Sequence, residues 1–307
     1  MESLPLVTIN IPTFNQEKYI ARAIESCLAQ DYPNLEIIVS DDCSTDNTYS
    51  IAKSFESENL KVFRNPQNIG RVKNYRHSLY QLSRGEWVAN LDGDDQYNDP
   101  TFISEAISQL QKNANCVMYA AAASTLEETT GQISHSPIYL KNNISVLKGT
   151  DYVLNFYKYG QIGQHFSVLY NRALALETDF YILDSLGADT DSICRLALKG
   201  NVIVQKKWVG IWTSHGANAS YTLDMTRVNK ELYMLEHIAN AAREVLPTQI
   251  VDKWLRESQR MKFQQALWAS LPKMSFFQAI KKLTQHWTWQ VQDFKEFIKI
   301  FLRLIRK

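Results

Sequence analysis

The chain is poor in cysteine. Its four residues of that type in 307, Cys27, Cys43, Cys116 and Cys194, lie far apart and form no Cys-x-x-Cys pair. That spacing suggests neither a zinc knuckle nor a disulfide framework and fits a reducing, cytoplasmic setting. Charge of one sign is also missing in excess: 33 Lys and Arg stand against 32 Asp and Glu. The basic footprint of a nucleic-acid binder is absent, so nucleic acid is not an expected partner. No run approaches the roughly 18 apolar residues of a membrane span. The opening MESLPLVTINIPTFN has an acid at position 2 and a short apolar stretch broken by Asn10, which does not read as a signal peptide. There is no internal repeat and no low-complexity segment. No Gly-x-Gly-x-x-Gly follows a strand-like run, which counts against a dinucleotide oxidoreductase.

What is present is an ordinary globular balance, 45% hydrophobic and 21% charged, in a length that holds one large domain or two ordinary ones. Leu6 to Ile11 is a β-branched run closed by Pro12, and Lys18 to Ala29 follows with apolar residues at helical spacing. Leu35 to Val39 begins a second such unit. Asp41 and Asp42 close its strand, and Ser44, Thr45 and Asp46 offer capping oxygens for a helix through Phe55. A third unit runs from Leu60 to Phe63 and, past Gly70, into a helix reaching Leu82. Glu86 to Leu91 is a fourth strand. This alternation predicts an α/β fold with a mostly parallel sheet covered on both faces. From about Asp224 the pattern changes to long helices, with Pro247 and Pro272 as punctuation.

Ligands of such sheets bind outside the carboxyl ends of the strands. Here PTFN follows the first strand, DDCSTD the second, RNPQNIG the third and DGDD the fourth. Four polar loops therefore converge on one crevice. Asp92, Asp94 and Asp95 raise one another's pKa values unless a cation lies among them. Mg²⁺ and Mn²⁺ favour oxygen ligands, and Mg²⁺ binds through one or two carboxylates while bridging phosphates, so the cluster suggests a nucleoside-diphosphate site. The alternative is a solvated acidic turn.

VTINIPTFNQEKYI, EIIVSDDCSTDNT, NPQNIGRVKNYR and GEWVANLDGDD resemble, in order and spacing, the nucleotide-binding half of the family 2 inverting glycosyltransferases of the GT-A fold. The resemblance is strong over about residues 4–100 and weaker over 160–220. It implies a Rossmann-like mixed sheet over residues 1–223, with a nucleotide-binding half at 1–100, an acceptor half at 101–223 and a helical region at 224–307. It places Pro12, Thr13, Phe14 and Asn15 around the nucleotide base, and Asp42 or Asp41 on the base edge. Lys73 and Arg76 fall near the nucleotide, Asp92 on the ribose, and Asp94, Asp95 and His215 as ligands of Mn²⁺ or Mg²⁺.

Inverting transfer also needs a carboxylate to take the acceptor's proton. GADTDSICRLALKG, Gly187 to Gly200, resembles the family segment that carries it. The alignment places the base on Asp189, with Asp191 as fallback and Ala188 standing where a Glu is usual. An alternative role for Asp189 is to cap the helix from about Thr190 to Lys199. WTSHGANAS, Trp212 to Ser220, resembles the closing segment of the family and supplies His215, with Thr213 in place of the usual Arg. His165 lies in a segment where acceptors bind. QKKW, Gln205 to Trp208, lacks the Arg of the processive synthases' motif, which implies addition of a single sugar.

Phe294, Phe297, Ile298, Phe301, Leu302 and Ile305 form an apolar helical stripe, and Lys281 to Lys307 holds seven basic residues against two acids. Such a tail is a candidate membrane-surface helix, and equally a helix that docks on its own domain. The expectation is a cytoplasmic, metal-dependent transferase. It would move one sugar from a nucleotide donor, in first place a UDP-sugar, to a saccharide acceptor, lipid-linked at the inner membrane face, in surface polysaccharide assembly. Two rivals stand beside it. A nucleotidyltransferase wants a glycine-rich loop that PTFNQEKYI lacks. A carbohydrate-binding scaffold on a decayed transferase fold does not require acids at every expected position.

Overall fold

The computed structural model describes residues 4–270 except 136, 159–161, 217, 219–223 and 225. The basic tail and the helical pattern expected beyond Pro272 lie outside the described residues. Ten strands form one sheet: β1 (Val7–Thr13), β2 (Leu35–Asp41), β3 (Leu60–Arg64), β4 (Trp87–Asn90), β5 (Gln96–Tyr97), β6 (Cys116–Glu127), β7 (Gln132–His135), β8 (Ile144–Lys148), β9 (Val168–Asn171) and β10 (Asn201–Ser214). The order is β3-β2-β1-β4-β9-β6-β10-β5, with β7 paired to β6 and β8 to β10. β1 to β4 are mutually parallel. β9 enters antiparallel to both β4 and β6, so the sheet changes sense next to β4.

Nine helices, α1 (Ile20–Leu28), α2 (Thr48–Lys53), α3 (Arg71–His77), α4 (Phe102–Lys112), α5 (Gly149–Asn155), α6 (Arg172–Glu177), α7 (Ala188–Ala197), α8 (Val228–Arg243) and α9 (Thr248–Ser270), are described. α1 buries Ile20, Ala23, Ile24 and Cys27, one stripe at i, i+3, i+4 and i+7, which is why the segment is helical and where it docks. Together with α2 and α4 it covers one face of the sheet. The other face packs on α3 and α5–α9, and Met234, Leu235 and Ile238 of α8 and Val251 and Trp254 of α9 share that core. The helical C-terminal region is thus joined to the sheet by a common core.

β1 is buried along its whole length, although its alternation of Val7, Ile9 and Ile11 with Thr8 and Asn10 reads as half-buried. The polar side faces a hydrogen-bonded layer instead of water. Thr8 donates to Glu36 at 2.5 Å, Ser83 to Asn10 at 3.0 Å and Ser40 to Asn74 at 2.7 Å. Buried polar atoms are tolerable when paired in this way. α3 continues at Ser78–Leu82 with the wider π spacing, so the expected helix through Leu82 forms with a change of pitch.

A hook at residues 178–181 carries two non-glycine residues at positive φ, Asp179 (+52°) and Tyr181 (+59°), a costly conformation that its surroundings must enforce. Arg195 donates to the carbonyls of Thr178 and Asp179, Arg76 to that of Phe180 at 2.7 Å, and the Tyr181 N–H to Ser192 at 2.8 Å. Arg195 is itself paired at 2.9 Å with Asp191, whose side chain is fully buried. Replacing Arg195 with Met removes its bonds to the hook and leaves the buried Asp191 carboxylate with His237 alone. It should cost about 3–5 kcal/mol, read as a lowered midpoint in urea unfolding.

Candidate active site

The carboxyl ends of β1, β2, β4 and β10 open into a cleft of about 730 Å³. Pro12, Thr13 and Phe14 line it, with Phe14 43% exposed at the rim. Asn15 turns the other way, at φ +52°. It ties the first loop to the second by accepting from the Thr45 N–H at 2.8 Å while its own N–H donates to Ser44 at 2.9 Å. Of the two acids after β2, neighbours on a strand point to opposite sides. Asp42 lines the cleft, whereas Asp41 lies outside its wall, accepting from the Ser44 N–H and pairing with Arg64 at 3.3 Å. The Asp42 carboxylate accepts from Asn65, from the Ile69 N–H and from the Gly70 N–H, at 2.8, 2.9 and 2.9 Å. It therefore shapes the third loop and keeps roughly one of its four lone-pair sites for a ligand.

Asp92, Asp94 and Asp95 all meet the cleft, each with a different partner. The Tyr75 hydroxyl donates to Asp92 at 2.5 Å; burial and the charge of Asp92 push its pKa well up, so the phenol stays protonated. Asp94 Oδ2 lies 2.9 Å from His215 Nε2, and the His215 ring stacks on Tyr19 at 5.1 Å. Burial and then Asp92 raise the pKa of Asp94 against the pull of His215. Asp95 is 1% exposed and accepts from the Thr213 N–H at 2.9 Å. Burial, Asp94 and Asp92 push its pKa well above the carboxylate range. Asp95 thus anchors the end of β10 from the cleft floor, and Asp94 and His215 are left as the donor pair. Arg22 braces the turn, donating to the Asp94 carbonyl at 3.0 Å and to the Thr213 hydroxyl at 2.9 Å. Gly93 permits the close fit: a Cβ there would stand 2.7 Å from Thr13 Oγ1.

Among the described residues no three His, Cys, Asp or Glu side chains gather as a ready-made site. A carboxylate and an imidazole in contact, with two further carboxyl groups on the same cleft wall, fit a divalent ion whose remaining ligands come from substrate phosphates and water.

Two expected cations do not belong to the cleft wall. Lys73 is exposed outside it. Arg76 is spent on the 178–181 hook and on Tyr80, 4.1 Å from its ring centroid. The cation that α3 contributes to the cleft wall is instead Arg71, at its start. It lies 5.4 Å from the centroid of the Tyr75 ring. Burial works against its charge, but Tyr75, Asp189 and Asp92 outweigh it and hold the guanidinium above its usual pKa. The signal was in the sequence: Arg71 and Tyr75 are i and i+4 and share a helix face.

Asp189 lines the cleft from the first turn of α7. It is not the cap, since the N-cap residue is Gly187 and no side chain caps there. The Asp189 carboxylate has no hydrogen bond or salt bridge among the described residues. Asp191 is outside the wall and engaged by Arg195 at 2.9 Å and His237 at 2.8 Å, which removes it as fallback base. His165 also lines the cleft, its Nε2 2.7 Å from the Tyr181 hydroxyl. Beyond it the wall includes Gln164, Trp212, and Glu231 and Lys262 from α8 and α9, residues the sequence pattern did not single out.

Residues 8–174 match the profile of the family described as Glycosyl transferase family 2. A Campylobacter jejuni GalNAc(5)-diNAcBac-PP-undecaprenol beta-1,3-glucosyltransferase is 36% identical over 135 residues, 43% of this chain and 41% of the relative. Chondroitin synthase of Escherichia coli is 26% identical over 234 residues, 75% of this chain and 32% of the relative. The chain thus spans well under half the length of either. The fold is similar to the crystal structure of Staphylococcus aureus TarS 1-349 in complex with UDP-GlcNAc, with a TM-score of 0.71 at 21% identity, over 92% of this chain and 80% of that one.

The buried acid at the cleft floor makes the metal-free protein sensitive to pH. Because the folded-state pKa of Asp95 is raised, its stabilisation is complete below the unfolded carboxylate value of about 3.9 and is lost as pH rises through the folded value. Asp95→Asn keeps an acceptor for the Thr213 N–H without the charge. In EDTA it should melt above the unsubstituted protein at pH 8, with the gap closing toward pH 4.

Proposed function

The chain belongs to glycosyl transferase family 2, and on that premise we propose that it transfers a single sugar from a UDP-sugar to a saccharide hydroxyl, with inversion at the anomeric carbon. The observation that carries this reading is the placement of Asp189. It is a carboxylate without a hydrogen bond or ion pair among the described residues, on the wall of the cleft that also holds Asp92 and Asp94. Phe14 at the rim offers a face for the base, and Asp42 keeps acceptor capacity for its edge. Asp92, oriented by Tyr75, accepts from ribose hydroxyls.

Asp94 and His215 would hold the Mn²⁺ or Mg²⁺, which supplies positive charge to the leaving diphosphate. Arg71 adds a guanidinium that interacts electrostatically with both Asp189 and Asp92. In the transfer step the acceptor oxygen forms its bond to the anomeric carbon from the face opposite the diphosphate. The bond from that carbon to the phosphate oxygen breaks, the electron pair leaves with UDP, and Asp189 takes the acceptor's proton.

The relatives' names support a role in polysaccharide assembly, and the Campylobacter name a polyprenyl-diphosphate-linked acceptor. Among the described residues no helix is long and apolar enough to cross a membrane. Lys281 to Lys307 carries the proposed surface contact with the inner membrane face.

Asp189→Asn should lower the release of UDP from the protein's UDP-sugar by about 10²–10⁴-fold while calorimetry shows UDP and Mn²⁺ bound as before. Turnover at the unsubstituted rate would remove Asp189 as the base.

A further inference from the structure

No side-chain hydrogen bond or salt bridge among the described residues fixes the Asp189 carboxylate, so its position is set by the loop that delivers it. Residues 185–187 form that loop, and two charged side chains grip it from opposite sides. On the nucleotide side, Arg71 Nη2 donates to the carbonyls of Ser185 at 2.9 Å and Leu186 at 3.2 Å. On the other side, Glu231 Oε1 in the first turn of α8 accepts from the Leu186 N–H at 2.8 Å. Leu186 is thus held at its N–H by an anion and at its carbonyl by a cation.

Glu231 is 1% exposed, and a carboxylate at such a depth is costly unless its hydrogen bonds and countercharge are specific. Its second oxygen is 3.9 Å from Lys262 Nζ of α9, a compensation at the long end of ion pairing. Gly187 is fitted against the same group: a Cβ there would stand 3.2 Å from Glu231 Oε2 and 2.6 Å from Met234 Sδ. The loop therefore seats directly on α8, and both Glu231 and Lys262 reach the cleft wall.

The geometry points to Glu231 as a positioning residue for the base. It holds the Leu186 peptide so that Asp189, three residues on, faces the acceptor, with Lys262 as its countercharge. The helical C-terminal region is on this account part of the catalytic unit. The inference rests on Asp189 being the base, and its test separates the two. Glu231→Ala and Glu231→Gln are compared in the full chain by hydrogen exchange at the Leu186 amide, by UDP and Mn²⁺ calorimetry, and by release of UDP from UDP-sugars.

Glu231→Ala should strip protection from the Leu186 amide and leave UDP affinity within about twofold. It should lower kcat about 100-fold, the scale of a misplacement near 1 Å, with KM for the donor unchanged. Glu231→Gln keeps an oxygen for the Leu186 N–H and should recover most of both losses. Unchanged protection in the alanine variant would overturn the inference, as would UDP affinity falling in step with kcat or equal losses in both variants. Asp189→Asn, run alongside, assigns the failure. An inactive Asp189→Asn with a fully active Glu231→Ala rejects the clamp alone, whereas an active Asp189→Asn rejects the base and the clamp with it.

Discussion

Three carboxylates in four positions after β4 are the constraint around which the cleft is built. Left to themselves they oppose ionisation, and the raised pKa values of Asp94 and Asp95 register that opposition. Each is managed by a different part of the chain: Asp92 by a tyrosine on α3, Asp94 by a histidine after β10, and Asp95 by a backbone amide of β10. Arg22 from α1 grips the turn itself. Segments remote in sequence are thereby brought to one point, the site that we propose receives a cation and a diphosphate. The strain is local and is offset by the two apolar layers that clamp the sheet from either side.

Residues 1–100 were legible because their signals are local. β-branched runs closed by polar loops gave β1 to β4 within a residue or two, and the loops at their ends gave Pro12, Thr13, Phe14, Asp42, Asp92 and Asp94. What a short pattern does not give is rotational phase. Lys73 and Arg76 were placed near the nucleotide by the resemblance, which marks a stretch of helix and not the face a residue takes on it. Once α3 begins at Arg71, that residue shares the face of Tyr75 and the other two do not. Phase also divides Asp189 from Asp191, which stand about 200° apart on α7, so only one can face the cleft.

The second half was less legible for a different reason. β6 reads Cys-Val-Met-Tyr followed by four alanines, a composition with high helix propensity, yet it lies fully paired at the centre of the sheet. Tertiary context overrides local preference there. In β10 the run Gln205 to Lys207 interrupts an apolar strand, and the pairing with β6 shifts register between Val204 and Trp208, which a periodicity argument reads as a break. Glu231 and Lys262 were invisible because nothing local marks a helix whose polar residue is destined for a distant loop.

The central claim is that the acid cluster and the first two loops form a metal-assisted nucleoside-diphosphate site. The most direct measurement is the melting temperature of the full chain with UDP, GDP, dTDP and CDP, each in Mn²⁺ and in EDTA. A ligand that binds only the folded state raises stability in proportion to its occupancy. The account predicts a rise with UDP in Mn²⁺ that EDTA removes, exceeding the rise with the other three. No rise with any nucleotide, or one that is the same in EDTA, would contradict it.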